Sequence, residues 1–406
     1  MLKRAVLQIV SKSRLDKIEV RNIMRKILLG LKELFFMVVL FPIARIYGRK
    51  KNIWIISERG SDARDNGYHM FKYMREMHPD IDTFFIIDEH SSDRNKIKKY
   101  GNLINYKSLR HYFYQYAASV RMSTHIYGFA TQSTFYKIVN KVFKFPGVSI
   151  SLKHGITKDN IPSLYAENSK LDLVIAGAKP EYDYMLSNFH YSTKQLQYTG
   201  FARFDNLIDT SSGNQILVMP TWRSFLSGIN EEEFKLSEYY IQWQSFLNDS
   251  SLHDKLTQYD VKLIFYPHYE IQRFIHLFAS ESDCIIIASK EKYDVQDLLK
   301  SSDILITDYS SVFFDFAYMN KPCVYYQFDE EKYRENHYNE GYFNYRTMGF
   351  GEVVITKDEL ISTILDYLEL GFENKREYAD RYKQFFPLHD DKNCERIYNA
   401  ILSILK

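Results

Sequence analysis

Cysteine is scarce in this chain: Cys284, Cys323 and Cys394 lie far apart in 406 residues. That spacing fits neither a disulfide framework nor a thiolate metal site, and it points to a reducing compartment. The acids are scattered rather than gathered with histidines, so no metal and no cofactor is expected. Internal repeats and low-complexity tracts are absent. The first thirty residues lack a clean apolar core followed by a cleavage site, so a secretory signal peptide is not expected. Net charge is small, +2 over the whole chain, and no nucleic-acid partner is expected.

The small net charge hides an asymmetry. Through Lys51 there are thirteen Lys or Arg against three acids, Asp16, Glu19 and Glu33. A basic arm, residues 1–51, therefore precedes a mildly acidic body, which suits attraction to an anionic surface. Its apolar part, residues 27–43, is interrupted by Lys32 and Glu33, and Pro42 is expected to break it. A spanning helix needs roughly 20 apolar residues. The pattern fits better a helix lying peripherally on the cytoplasmic face of a membrane. A helix packed on its own domain, or in a dimer, is the alternative. Tyr (33) and Phe (29) are abundant, which suits contact with lipid or polymer, although an AT-rich genome gives the same bias.

From residue 52 short apolar strands alternate with helices. Strands are expected at 53–57, 83–88, 103–106, 120–126, 148–152, 171–176 and 196–199. A second series follows at 215–219, 261–266, 284–287, 303–307 and 322–326. Alternation of this kind implies parallel sheets covered on both faces. Two series imply an α/β chain of two Rossmann-like domains, 52–205 and 206–390, with a terminal helix in 391–406 crossing back to the first. Ligands in such folds sit at the carboxyl ends of strands.

The run from Leu305 to Phe316 is the most informative segment. A strand enters a helix start carrying Ser310 and Ser311, both good N-cap residues. Free N–H groups of a first turn and the positive end of the helix dipole make an anion site there. Asp315, about one turn on, is placed to accept from ribose hydroxyls. The bland reading is an ordinary capped helix. Other polar groups also fall at strand ends: Lys153-His154-Gly155, Thr199 to Asp205 with Arg203, Pro220-Thr221-Trp222-Arg223, Pro267-His268, and Thr307-Asp308. Any one of these fits a loop, but five together outline a phosphate site. A neutral histidine accepts a proton from an attacking hydroxyl, and an imidazolium stabilises a leaving phosphate. Arg203 or Arg223 suits phosphate oxygens.

The ordered set resembles the CDP-glycerol:poly(glycerophosphate) glycerophosphotransferase family of teichoic acid and capsule synthesis. The matching pieces are Ser57-Glu58-Arg59 with Asp65-Asn66-Gly67, His154-Gly155 with Thr157, Thr199 to Asp205, Pro220 to Arg223, Pro267-His268, Ser302 to Asp315, Asp329 with Tyr333, and Asn393 to Ile397. The resemblance implies a two-domain fold of glycosyltransferase B type on a membrane-associated body. It implies transfer of a polyol phosphate from CDP-glycerol or CDP-ribitol to a hydroxyl of a lipid-linked polymer acceptor, releasing CMP. His154 is carried over as the base, His268 as the group at the donor diphosphate, and Ser310 and Ser311 as phosphate binders, with Asp315 as a ribose partner. Arg203, Arg223, Thr307 and Asp308 join them as substrate-binding candidates on their own place at strand ends. The chain departs from the usual His-Gly-Thr-Pro at Ile156, and the usual His-Pro order is reversed at Pro267-His268. The assignment of His268 leans on Lys262, a lysine earlier on the same strand.

Two other readings compete. One is a glycosyltransferase of the same architecture using a CMP-activated sugar, and the other is a catalytically silent membrane scaffold. Both histidines and both serines are present, which speaks against the scaffold. The identity of the polyol, primase or polymerase action, and assembly into a homo-oligomer are left open by the residues.

Overall fold

The computed structural model describes residues 17–336 and 339–405, with side chains from residue 21 on. Residues 1–16 of the basic arm and Lys406 of the terminal segment lie outside the described residues. Thirteen strands form two sheets among the described residues, one of seven strands in the order β3-β2-β1-β4-β5-β6-β7 and one of six in the order β10-β9-β8-β11-β12-β13, with parallel pairing among β1 to β5, between β6 and β7, and throughout the six-stranded sheet. By contacts the chain divides into two compact units, Met1–Leu152 with Lys170–Asp172, and Lys153–Ser169 with Leu173–Lys406.

The first unit opens with helix α1 (Lys17–Gly48). Its strands are β1 (Ile53–Ser57), β2 (Asp82–Ile87), β3 (Leu103–Asn105), β4 (Val120–Ser123) and β5 (Val148–Ser151). The sequence Ile-Trp-Ile-Ile-Ser of β1 is buried throughout, as a central parallel strand covered on both faces must be. Helices α2 (Asn66–Met77), α3 (Leu109–Ala117) and α4 (Ser133–Val142) accompany these strands. Asp65 caps α2 by accepting from Asn66 N, and Ser108 caps α3 by accepting from His111 N.

Helix α1 corrects one expectation. It runs through Pro42 without a break. A proline inside a helix removes one backbone hydrogen bond and crowds the preceding turn, but packing outweighs that loss here. Phe36 stacks on Tyr112 of α3 with ring centroids 4.2 Å apart, and Phe41 lies among Tyr116, Phe143 and Phe145. Glu33, one of the two charges that interrupt the apolar run, is 4 % exposed. Its carboxylate accepts from Tyr112 Oη at 2.7 Å and from Thr131 Oγ1 at 2.6 Å. The residues from Arg21 to Gly48 form a helix long and apolar enough to cross a membrane by length and composition.

The second unit carries β6 (Leu173–Ala176) and β7 (Leu196–Tyr198), with α5 (Lys179–Asn188) between them, and then the whole six-stranded sheet. That sheet comprises β8 (Gln215–Val218), β9 (Lys262–Phe265), β10 (Ile285–Ile287), β11 (Ile304–Thr307), β12 (Cys323–Tyr326) and β13 (Gly351–Val354). Trp243, Phe246, Phe265, Phe278 and Tyr326 lie in the core on one of its faces. Short helix α6 (Phe313–Tyr318) follows β11, and α7 (Asn393–Leu405) ends the chain. Strand β13 is absent from the sequence expectation: four residues beginning with glycine are too short to show a period. Strand β4 ends three residues earlier than expected, where the chain turns toward Tyr127 at φ 53°.

The Thr199–Asp205 segment clamps α7. Asp205 accepts from Asn393 N and Cys394 N, both at 2.8 Å, and from Asn393 Nδ2 at 2.7 Å. The carboxylate thus satisfies N–H groups of the helix start. Gly200, at φ 75°, lets the backbone approach so closely that a Cβ there would lie 1.8 Å from Asn393 Oδ1.

Candidate active site

In the six-stranded sheet the strand order reverses between β8 and β11, the place where a doubly wound sheet opens a crevice at its carboxyl ends. The loops after β8, β9 and β11 are sewn together there. Thr307 Oγ1 donates to Met219 O at 2.7 Å, Thr221 N donates to Asp308 Oδ1 at 2.8 Å, and His268 N donates to Pro220 O at 3.0 Å. The Trp222 indole stacks loosely on the His268 ring, with centroids 6.3 Å apart and planes at 23°. His268 Nδ1 accepts from Glu270 N at 3.2 Å. That contact selects the neutral tautomer with its proton on Nε2. Gln272, buried beside it, donates from Nε2 to Pro267 O at 2.9 Å and accepts from Lys290 N at 3.1 Å, holding the His268 loop to the loop after β10.

Ser310 and Ser311 precede α6, but neither is its cap. Val312 occupies that position in a helical conformation, and Ser310 Oγ accepts from Val312 N at 3.3 Å. The serines therefore form a tight turn ahead of the helix. Against this turn lies the His154 loop. A Cβ on Gly155 would lie 3.0 Å from Ser311 Oγ, so only glycine lets the two backbones approach this closely without displacing the hydroxyl.

The His154 loop has an anchor that sequence reasoning missed. Lys153 is buried and left-handed, at φ 53°. Its Nζ is ion-paired with Glu181 Oε1, which also accepts from Thr157 N. Glu181 Oε2 accepts from Gly177 N at 2.7 Å. Burial pulls the Lys153 pKa below its usual value, and Glu181 opposes that pull. Glu181 is fully buried in the first turn of α5, whereas His154 is exposed. The only sequence signal was an acid just after Pro180 at a helix start, and nothing in linear order pairs it with Lys153.

The two arginines take a different place from the expected one. Arg223 is 0 % exposed. Its Nε and Nη2 grip Asp329 at 2.7 and 2.9 Å, and its Nη1 donates to Thr221 O at 2.7 Å and lies 2.9 Å from Asp308 Oδ2. Rings of Tyr309, Tyr333 and Tyr239 surround the guanidinium. Burial lowers its pKa, but Asp308 and Asp329 outweigh burial and hold it above its usual value. Arg203 is likewise buried and forked onto Asp315, Nε to Oδ2 at 2.7 Å and Nη2 to Oδ1 at 2.6 Å. Arg203, Arg223, Asp308 and Asp315 are thus largely buried, and each charge is already paired with a partner inside the protein. Among the described residues no group of three or more His, Cys, Asp or Glu side chains is placed to hold a metal ion.

The family model for CDP-glycerol:poly(glycerophosphate) glycerophosphotransferase matches residues 37–403. The minor teichoic acid biosynthesis protein GgaB of Bacillus subtilis (strain 168) is 34 % identical over 366 residues, 87 % of this chain and 40 % of that protein. The teichoic acid poly(glycerol phosphate) polymerase of the same strain is 24 % identical over 416 residues, 91 % of this chain and 50 % of that protein. The chain thus spans about half the length, or less, of these curated relatives. Among solved structures, the wall teichoic acid polymerase TagF soaked with CDPG superposes with a TM-score of 0.68 at 20 % identity, covering 96 % of this chain and 98 % of that one. The co-structure of S. aureus MnaA with UDP gives 0.56 at 14 % identity, covering 87 % and 97 %. At these identities the structures show a shared fold.

Proposed function

Since the chain belongs to the CDP-glycerol:poly(glycerophosphate) glycerophosphotransferase family, we propose that it transfers a polyol phosphate, glycerol phosphate first among the candidates, from a CDP-activated donor to a hydroxyl of a lipid-linked teichoic acid or capsule acceptor. The observation that carries this reading is the abutment of the His154-Gly155 turn on Ser311, which sets a candidate base beside a candidate phosphate cradle. Neutral His154 takes the proton of the acceptor hydroxyl. The oxygen attacks the β-phosphorus of the donor in line, the bond to the bridging oxygen breaks, and CMP leaves. His268 donates from Nε2–H to the diphosphate, and the Ser310 and Ser311 hydroxyls and the N–H groups of their turn add donors. Thr307 and Asp308 tie the turn to the loop after β8. Arg203, Arg223 and Asp315 stiffen the frame. On this reading residues 206–390 hold the donor in a fold of glycosyltransferase B type, 52–205 face the acceptor, and 391–406 return to the first domain.

Purified protein, offered CDP-glycerol, CDP-ribitol and a CMP-sugar in parallel with a teichoic-acid-type lipid acceptor, tests the proposal. The expected result is acceptor-dependent CMP release with a CDP-polyol and a product heavier by one or more polyol phosphates. Release with the CMP-sugar alone would transfer the protein to the glycosyltransferase reading.

The same proposal places α1 on the anionic cytoplasmic surface of the cell membrane. Its support is an outward face that packing leaves bare: Leu28 and Phe35 are 62 % exposed, and Val38 and Ile46 are 64 % exposed. The opposite side is tied down through Glu33 and Phe36. Phe35→Asp with Val38→Asp removes apolar area from the lipid-facing side while leaving Glu33 and the Phe36–Tyr112 stack in place. Each lost insertion is worth about 1.5–3 kcal/mol, so recovery on anionic vesicles should fall by about tenfold or more. Unchanged recovery would remove this face from the membrane.

A further inference from the structure

One cation of the first unit has no part in the chemistry above. The strand order reverses between β1 and β4, the position at which a doubly wound sheet offers a ligand crevice beyond its carboxyl ends. The loops after both strands are tied down by contacts to Glu58. Glu58, 2 % exposed, accepts from the backbone N–H groups of Arg64, Asp65 and Tyr68 at 3.0, 2.9 and 2.9 Å. Burial, reinforced by Asp65, pushes its pKa up to about 8. From the β4 side Gly128 presses on the same residue, since a Cβ there would lie 2.5 Å from Glu58 O.

Arg59 stands between these anchors and is exposed. Its Nε donates to His125 Nε2 at 3.1 Å. An accepting Nε2 requires a neutral ring with its proton on Nδ1, which lies 3.0 Å from Thr124 Oγ1. Burial, and then the neighbouring Arg59, pull the His125 pKa down to about 4. Among the described residues no carboxylate pairs with Arg59. Of the three acids in the same loop, Glu58 and Asp65 serve the start of α2, and Asp62 accepts from Ser61 Oγ at 3.0 Å and weakly opposes the lowering at His125. The contrast with Arg64 is direct: that guanidinium is taken up by Asp93, with Nε 2.8 Å from either oxygen. A neutral imidazole orients a guanidinium without cancelling its charge, which stays available to an incoming anion.

We infer that Arg59, oriented by His125, binds a phosphate group of the acceptor polymer in the crevice between the β1 and β4 loops. The naming of the acceptor rests on the transferase reading, while the anion chemistry stands on the geometry of the first unit. Calorimetric titration of the full chain tests it, using a lipid-free oligo(glycerol phosphate), a neutral oligoglycerol of equal length, and inorganic phosphate. Arg59→Gln should weaken binding of the phosphate oligomer about ten- to a hundredfold, the range for losing hydrogen bonds to a charged group. Arg59→Lys should recover part of the loss. The Arg59→Gln variant should melt with the native protein, because the side chain is exposed and makes one internal hydrogen bond. Equal binding of the oligomer by native protein and Arg59→Gln would overturn the inference. So would binding of the neutral oligomer, or of inorganic phosphate, as tight as that of the phosphate oligomer. The two readings fail separately. A protein that releases CMP but binds through Arg59→Gln as before loses this site alone. One that never releases CMP, yet needs Arg59 to bind the oligomer, keeps the site and loses the transferase reading.

Discussion

Replacing His154 by alanine is expected to lower turnover by about 10²–10⁴-fold, the usual contribution of a positioned general base. The affinity for the CDP donor should change little. The argument rests on where the structure puts the residue. His154 is exposed, one residue after a left-handed, buried lysine and one before a glycine that lies against Ser311. Removing an exposed imidazole leaves the Lys153–Glu181 anchor in place, so the loop and the fold should persist. Donor binding measured by calorimetry and turnover measured by CMP release then separate the two roles. A His154→Ala protein with native turnover would take the residue out of the mechanism. One with native turnover per bound donor but weakened donor binding would move it from base to ligand.

The second large effect is on stability. Arg223→Ala is expected to cost about 3–5 kcal/mol, because it leaves two buried carboxylates without a counter-charge. Asp308 is 0 % exposed and Asp329 is 8 % exposed, and both lose their partner in one step. Arg223→Lys should not rescue it fully, since an ammonium cannot fork onto Asp329 while also reaching Thr221 O. Urea unfolding of the native and variant proteins, followed by circular dichroism, reads the difference. A variant that unfolds like the native protein yet loses donor affinity would return Arg223 to the direct phosphate contact that its position after β8 first suggested.

Those two residues illustrate how far linear order reaches. His154, His268, Ser310 and Ser311 stand out in the sequence because each follows a strand; in the folded chain Gly155 lies against Ser311, and His268 N donates to Pro220 O. The same logic makes Arg203 and Arg223 candidate phosphate ligands. Their partners lie 112 and 106 residues away, at Asp315 and Asp329. A guanidinium at a strand end looks the same in sequence whether it faces ligand or a buried carboxylate. Glu181 escaped for the matching reason: its importance is a contact with Lys153 across 28 residues.

The amino-acid order by itself determined the alternation of strand and helix, and with it the parallel sheets, because short apolar runs of Ile, Val, Leu and Phe are stable only when both faces are covered. It also determined family membership, through an ordered set of short polar motifs. The tertiary structure alone decided which charges are paired with a carboxylate and which are not. Arg64 and Arg59 share one loop, yet one is taken by Asp93 and the other is held by a neutral imidazole. It alone decided that α1 passes Pro42, since the aromatic contacts of Phe36 and Phe41 with distant rings outweigh a local helix-breaking preference. Local preferences act over a few residues and can be read in order, whereas burial and charge pairing depend on neighbours that only the folded chain supplies.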